Sequence, residues 1–171
     1  MTDIITNFFL SLSHDTIIIP FVTLGYIWLD RKLFFNAISL LLLSIIFNSA
    51  LKITFQIPLS PLLNKEGFTF PSGHMQSSTV LYGWIFLHTQ NLFYKLLIII
   101  ALFGIAISLV HYGYHDYYDI LGAIFFSSLL LAISYKTIKK QETFFPKIVF
   151  IISTVMIIYI SINYQKILEH L

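Results

Sequence analysis

Long apolar segments separated by short polar clusters make up nearly the whole chain. A helix needs about 20 predominantly apolar residues to cross a bilayer. Six segments are predicted as membrane-spanning helices, with approximate bounds 16–29, 33–56, 72–87, 92–112, 117–135 and 148–162. A shorter apolar stretch over residues 4–12 predicts an N-terminal interfacial helix. The pattern therefore predicts an all-α, six-helix integral membrane bundle in which residues 1–171 form a single membrane-embedded domain.

The composition supports this interpretation and excludes several classes of protein. Hydrophobic residues make up 57% of the 171 positions, charged residues 11%, and the mean hydropathy is +0.84. A soluble domain has about 25% charged residues. The formal net charge of +2 gives no sign of a nucleic-acid partner. The chain has no cysteine, which excludes disulfides, thiolate metal sites and cysteine nucleophiles, and Arg31 is its single arginine.

Basic residues are unevenly distributed between the two sides of the predicted bundle. Seven of the ten fall on one side, namely Arg31, Lys32, Lys95, Lys136, Lys139, Lys140 and Lys147. The positive-inside rule places that side in the cytoplasm. Loops 57–71 and 112–117 are then expected on the extracytoplasmic side of the cell inner (plasma) membrane.

The first polar cluster on that side is Phe70-Pro71-Ser72-Gly73-His74, at the start of the third predicted span. Pro71 and Ser72 are typical of a helix start, with Ser72 as the N-cap. Gly73 lets the backbone approach a ligand closely. The free amides and positive dipole of a helix N-terminus suit a phosphate group, and His74 in the first turn is expected to face it.

The second cluster runs from Ser108 to Asp119 and contains His115. Because His115 and Asp119 are four residues apart, a helix would place both on one face. The carboxylate can accept the Nδ1 proton of the imidazole and leave Nε2 free as a base or nucleophile. An ordinary surface pair is the alternative, although ionisable groups at a membrane boundary are usually functional. Lys52, near the outer end of the second span, either extends to the interface or binds the same phosphate.

These motifs resemble those of the type 2 phosphatidic acid phosphatase superfamily, which shares its core with the vanadium haloperoxidases. The family pattern is KxxxxxxRP, then PSGH, then SRxxxxxHxxxD. The residues that match it in order and spacing are Lys52, Pro71-Ser72-Gly73-His74, Ser108, His115 and Asp119. The resemblance covers about residues 45–130.

The resemblance implies a lipid phosphatase that needs neither a metal nor a cofactor. His115 would attack phosphorus and form a phosphohistidine, and Asp119 would hold and polarise His115. His74 would protonate the departing alkoxide and then activate water. The phosphoryl oxygens would be bound by Lys52, the Ser72 hydroxyl and the Gly73 amide. The expected partners are a lipid phosphate and the membrane, while the oligomeric state is not fixed by the sequence.

Both arginines of the family pattern are absent. They align with Leu59 and Leu109, and Arg31 lies on the predicted cytoplasmic side. Because arginine binds phosphate through paired hydrogen bonds, their loss is expected to weaken phosphate binding unless other residues compensate. Lys65 and His111 are the predicted auxiliary ligands; a solvated loop lysine and an interfacial histidine are the alternatives.

Three functions remain open on the sequence. The favoured one is hydrolysis of a lipid phosphate monoester or pyrophosphate. The two leucines also fit a catalytically inactive relative that binds lipid headgroups or a membrane partner. A lipid phosphotransferase would use the same residues as the phosphatase.

Overall fold

The structure is a computed structural model, which describes residues 2–59 and 67–169. Within these ranges the chain forms seven α-helices: α1 (Thr2–Ser11), α2 (Asp15–Trp28), α3 (Arg31–Phe55), α4 (Gly73–His88), α5 (Leu92–His111), α6 (Tyr117–Gln141) and α7 (Phe145–Glu169). A 3₁₀ turn at Glu142–Phe144 joins α6 to α7. The described residues contain no strand beyond one isolated bridge between Pro58 and Phe68. The predicted all-α class is confirmed.

Four helices of the described ranges are long and apolar enough to cross a membrane, namely α3, α5, α6 and α7. The pair α1–α2, bent by 47°, meets the same test when it is taken as one span. The predicted count of six spanning helices is not confirmed. The central helix α4 has only 16 residues, so it rises about 24 Å, less than the roughly 30 Å of a hydrocarbon core.

Two boundaries differ from the prediction near the C-terminus. Helix α6 continues to Gln141 instead of ending at Tyr135, and its last turns contain Lys139 and Lys140. Positive charges there complement the negative end of the helix dipole. Pro146 lies in the first turn of α7 rather than in a loop, because a proline at a helix start loses no intrahelical hydrogen bond.

The core is built around α4, which packs against α3, α5 and α6. Val80, Leu81 and Trp84 of this helix are almost fully buried. Helices α2 and α7 pack on α3, and α1 packs on α5. The outer helices α5 and α7 expose large apolar side chains such as Phe103 and Phe150, which would face lipid in a membrane.

The antiparallel course of α3 and α4 brings the C-terminus of α3 and the N-termini of α4 and α6 to one end of the bundle. The backbone amide of Ser72 donates to the carbonyl of Asp119 at 3.2 Å, which fixes α4 to α6 at that end. We call this the site end, because Lys52, His74 and His115 all lie there.

Candidate active site

The start of α4 forms as predicted, with Ser72 as its N-cap. The Ser72 hydroxyl accepts a hydrogen bond from the Met75 amide at 3.4 Å, and Ser72 is fully buried. The amides of Gly73 and His74 are not hydrogen bonded to any group in the described residues, as expected for the first turn of a helix. The helix start therefore presents two open backbone donors, while the serine hydroxyl serves as the cap.

A buried amide network holds this helix start against α3. The Asn48 Nδ2 donates to the Pro71 carbonyl at 3.1 Å and to Gln76 Oε1 at 2.9 Å. Gln76 Nε2 in turn donates to the Ser44 carbonyl at 3.1 Å. A Cβ atom on Gly73 would lie 3.3 Å from Asn48 Oδ1. Glycine at this position thus allows α4 to begin close to α3, whereas the sequence pattern predicts that it allows close approach of a ligand.

Replacing Asn48 with alanine is expected to lower the free energy of unfolding by about 1–3 kcal/mol, because two buried acceptors lose their donor. Thermal unfolding of the purified protein in detergent measures this change in stability. Ser49→Ala is the matched control, since the Ser49 hydroxyl donates only to the Ile45 carbonyl within α3. Equal destabilisation by both substitutions would contradict the role given to Asn48.

Lys52 emerges from the last turn of α3 toward the same site. Its ammonium donates to the Phe68 carbonyl at 2.8 Å, and the side chain is half-buried. The backbone around Phe68 is itself fixed, because the Thr69 amide donates to the Ile57 carbonyl at 2.8 Å. An ammonium has three donors, so two N–H groups of Lys52 remain for a ligand.

His115 lies in the turn between α5 and α6, since α6 begins only at Tyr117. The prediction that His115 and Asp119 share one helical face is therefore wrong. The predicted contact forms nevertheless, with His115 Nδ1 3.0 Å from Asp119 Oδ2. The two side chains are 9% and 4% exposed. The contact forms although His115 lies in a turn, because the first turn of α6 directs the Asp119 carboxylate back toward the His115 ring.

The turn is closed at its first end by the C-cap of α5. The Tyr114 amide donates to the Leu109 carbonyl at 3.1 Å, and the Gly113 amide donates to the Val110 carbonyl at 2.9 Å. This is the Schellman pattern, and Gly113 takes the left-handed conformation that it requires, with φ of 66°.

The other end of the turn is a capping box at the start of α6. The Asp119 amide donates to Asp116 Oδ1 at 2.9 Å, and the Asp116 amide points back to Asp119 Oδ2 at 3.4 Å. Asp119 therefore both caps α6 and holds His115.

Thr69 completes the environment of the carboxylate. Its hydroxyl donates to Asp119 Oδ2 and lies 3.2 Å from His115 Nδ1. No sequence pattern points to this residue, because a single threonine in a polar loop belongs to no motif and its partners are 46 and 50 positions away. The contact fixes loop 67–71 to the turn that carries His115.

Burial lowers the pKa of His115 below the ordinary histidine value, while the hydrogen bond and charge of Asp119 act in the opposite direction. The positive charge of Lys52 lowers this pKa further. The imidazole is therefore neutral at pH 7. Since Nδ1 faces Asp119, Nε2 carries the free lone pair.

His74 stands in the first turn of α4 and is exposed. It interacts electrostatically with His115 and Lys52, so the three predicted groups converge. It also interacts with His14 and Asp15, at the junction of α1 and α2. The ring centres of His14 and His74 are 5.7 Å apart. The sequence pattern contains no signal for a role of His14, because it does not show that the N-terminal helices fold back to this end.

The two predicted auxiliary ligands have different outcomes. Lys65 lies outside the described residues. His111 is exposed, and its Nε2 lies 3.4 Å from Asp3 Oδ1 on α1, a contact that leads away from His115.

The two leucines predicted to stand at the arginine positions of the family pattern occupy different surroundings. Leu109 is 1% exposed and belongs to an apolar cluster with Met75, Ile105 and Ile120. Leu59 is half-buried, and its side chain lies near Gly67. Neither side chain can donate a hydrogen bond to a phosphate.

No group of three or more histidine, aspartate or glutamate side chains within residues 2–59 and 67–169 is arranged to hold a metal ion. The prediction of a metal-independent site stays a prediction.

The arrangement at the site end combines a neutral imidazole held at Nδ1, a second imidazole, an ammonium group and two open helix amides. Searches of curated proteins and of solved structures gave no match to this chain. The model of the PAP2 superfamily matches residues 33–143, about two thirds of the chain, including Lys52, His74, His115 and Asp119. The chain belongs to the PAP2 superfamily.

Proposed function

We propose that this protein is a membrane lipid phosphatase that hydrolyses a phosphate monoester or pyrophosphate of a lipid through a phosphohistidine on His115. The family comprises mainly phosphatases, which supports phosphatase-type activity. The observation that carries the proposal is the held imidazole of His115, whose Nδ1 lies 3.0 Å from Asp119 Oδ2. A neutral imidazole with a fixed tautomer has a nucleophilic Nε2.

The reaction proceeds in two displacements. His115 Nε2 attacks phosphorus, the bond from phosphorus to the lipid oxygen breaks, and His74 gives a proton to the departing oxygen. Water then attacks the phosphohistidine and passes a proton to His74 while the bond from phosphorus to nitrogen breaks. Inorganic phosphate leaves, and both imidazoles return to their starting protonation states.

Charge on the phosphoryl oxygens is balanced by the remaining groups of the site. The open amides of Gly73 and His74 point from the positive end of α4, and Lys52 keeps two free N–H groups. Together they take the place of the arginines that the family pattern would put at positions 59 and 109. The Ser72 hydroxyl, which caps α4, contributes by fixing these amides.

An apolar cavity of about 600 Å³ supports a lipid as the substrate. It lies between α4, α5 and α6 and is lined by Met75, Ile120, Val110 and Tyr117, among others. Met75 and Ile120 directly follow His74 and Asp119 in the chain, so the cavity adjoins the site. A hydrocarbon chain bound there would bring its phosphate to the site end. In a membrane this end faces the extracytoplasmic side, in keeping with the distribution of lysines.

Phosphate release from a panel of lipid phosphates tests the proposal. The panel contains phosphatidic acid, phosphatidylglycerophosphate, an isoprenyl phosphate and an isoprenyl pyrophosphate, each in detergent with purified protein. We expect release from at least one substrate, unchanged after treatment with EDTA. Release from no substrate would favour a headgroup-binding relative without catalysis, and equal release by His115→Ala protein would show that His115 is not the nucleophile. Transfer of phosphate to an added alcohol in preference to water would indicate the phosphotransferase.

The pH dependence of kcat/KM is expected to show its acid limb below about pH 6.5, the ordinary histidine value. Because the pKa of His115 is lowered, the nucleophile is neutral above that pH and is lost only when the pH falls through the lowered value. Lys52→Met removes a charge that lowers this pKa, so its acid limb should move to higher pH even though its activity is smaller. An acid limb above pH 7 in the unmodified protein would contradict this assignment.

A further inference from the structure

The junction between α1 and α2 places an additional imidazole at the site. His14 is the N-cap residue of α2, yet its side chain makes no capping hydrogen bond. Its ring centre lies 5.7 Å from that of His74, with an angle of 49° between the rings. The two rings lie within the range of a tilted aromatic contact and are not joined by a hydrogen bond, so both can turn a nitrogen toward one oxygen atom placed beside them.

The junction is fixed rather than loosely attached. Tyr82 of α4 donates its hydroxyl hydrogen to the Leu12 carbonyl at 2.8 Å. Ser13 is 2% exposed, and its hydroxyl donates to the Leu10 carbonyl at 2.7 Å. His14 is therefore held beside His74 by contacts with the same helix that carries His74.

The position of His14 relative to the two site histidines decides which part of a substrate it meets. The ring of His14 lies beside that of His74, whereas the side chains within hydrogen-bond distance of His115 are those of Asp119 and Thr69. In a phosphoryl transfer the attacking and leaving atoms lie roughly in line on opposite sides of phosphorus. His115 attacks, so the leaving oxygen lies on the side of His74, where His14 also stands.

We propose that His14 is a further catalytic residue that donates a hydrogen bond to the leaving oxygen while His74 supplies the proton. This inference rests on the proposed phosphatase function. His14 keeps its own proton throughout, so the bonds formed and broken are those already given for the two displacements. The residue lies outside the part of the chain that matches the family model, so the N-terminal helices complete this site.

The test compares two phosphate esters that differ in the leaving group, octyl phosphate and 4-nitrophenyl phosphate. A nitrophenolate leaves without help, whereas an alkoxide needs a donor. We expect His14→Ala to lower kcat/KM for octyl phosphate about 10- to 100-fold and to change the value for the nitrophenyl ester by less than about threefold. His14→Gln, which keeps an N–H donor, should recover part of the loss.

The controls separate this inference from the function on which it rests. Thr23→Val alters an exposed residue of α2 whose hydroxyl donates to the Ile19 carbonyl of the same helix, and it should change neither rate. Equal losses on both esters, or no loss on either, would overturn the role of His14. If the unmodified protein releases phosphate from no lipid substrate, the proposed function fails instead.

A second and independent observation lies at the opposite end of the bundle. A cavity of about 470 Å³ between α3, α4 and α6 is lined by Asn36, His88, Tyr135 and Lys139, among others. Asn36 is 6% exposed, and its amide has no hydrogen-bond partner among the described residues. Because this amide lines the cavity, it can donate a hydrogen bond to a ligand bound there.

We infer that this cavity binds a phosphate group, either of an anionic lipid headgroup or free in solution. Lys139 contributes a positive charge to its lining, which also contains Asp30, whose Oδ1 accepts a hydrogen bond from the Leu33 amide at 2.9 Å. Basic pockets between membrane helices are typical sites for anionic headgroups.

Native mass spectrometry with phosphatidylglycerol and phosphatidylcholine tests this site without reference to activity. We expect phosphatidylglycerol to bind more tightly, and Lys139→Gln to weaken it about fivefold. Lys136→Gln, on an exposed position one turn earlier in α6, should have no effect. If millimolar inorganic phosphate displaces the lipid, the cavity also binds free phosphate. If it does not displace the lipid, the cavity binds the lipid headgroup alone. Equal binding of the two lipids, or equal effects of the two lysine substitutions, would overturn the inference.

Discussion

Substitution of His115 by alanine is expected to lower kcat/KM for the best lipid phosphate by at least about 10⁴-fold, since it removes the atom that attacks phosphorus. The residual rate would come from substrate binding and from the open amides of α4. Because the side chain is only 9% exposed, the substitution also leaves a small cavity. Thermal unfolding in detergent must therefore be measured beside the rate, so that loss of the nucleophile is separated from loss of the fold.

The covalent intermediate provides the sharper measurement. Rapid quenching of the unmodified protein with a ³²P-labelled lipid phosphate should give labelled protein whose label survives alkali and is lost in acid, as expected for a bond between phosphorus and nitrogen. His115→Ala protein should carry no label. His88→Ala, at the other end of the bundle, should label normally. Labelling of the alanine protein at the normal level would show that another residue is the nucleophile.

Asp119→Asn is expected to have the second largest effect, a loss of about 10³- to 10⁴-fold in kcat. Asp119 Oδ2 faces His115 Nδ1 at 3.0 Å and also accepts from the Thr69 hydroxyl. An asparagine amide in that place would donate instead of accept and would favour the tautomer in which Nε2 carries the proton. A comparable loss follows the same change in a catalytic triad.

Two matched substitutions show whether the Asp119 carboxylate supports catalysis by orienting His115 or only by capping α6. Asp116→Asn keeps an oxygen at the cap of α6 and should reduce activity by less than about threefold. Thr69→Val removes one neighbour of the carboxylate and should cost about tenfold. If Asp116→Asn lowers activity as much as Asp119→Asn, capping of α6 rather than orientation of His115 explains the effect.

The parts of the site that could be predicted from sequence are those that depend on local rules. The start of α4 at Ser72 follows from the proline and serine that precede Gly73, and the structure confirms it. The pairing of His115 with Asp119 was predicted from their spacing, yet the reason given was wrong, because His115 precedes α6. The capping box explains why the contact still forms, since it depends on residues three positions apart in a turn.

The parts that could not be predicted depend on tertiary structure. Thr69 and His14 reach the site through packing between segments that are distant in sequence. A single sequence does not show which distant segments come into contact. The predicted count of six spanning helices is not confirmed, for a related reason. Apolar character marked residues 72–87 as a span, but α4 is apolar because it is surrounded by α3, α5 and α6, and its length suits a bundle centre.

The five-residue turn that carries His115 has a consequence for protein engineering. Both of its ends are closed by motifs made of its own neighbours, the Schellman cap on one side and the capping box on the other. His115 and the Asp119 carboxylate thus belong to a nearly self-contained segment, about residues 108–120. This segment could be grafted onto another helical hairpin of similar spacing. The phosphate-binding half could not, since it is assembled from two separate helices, α3 and α4, and would have to be rebuilt in any new host.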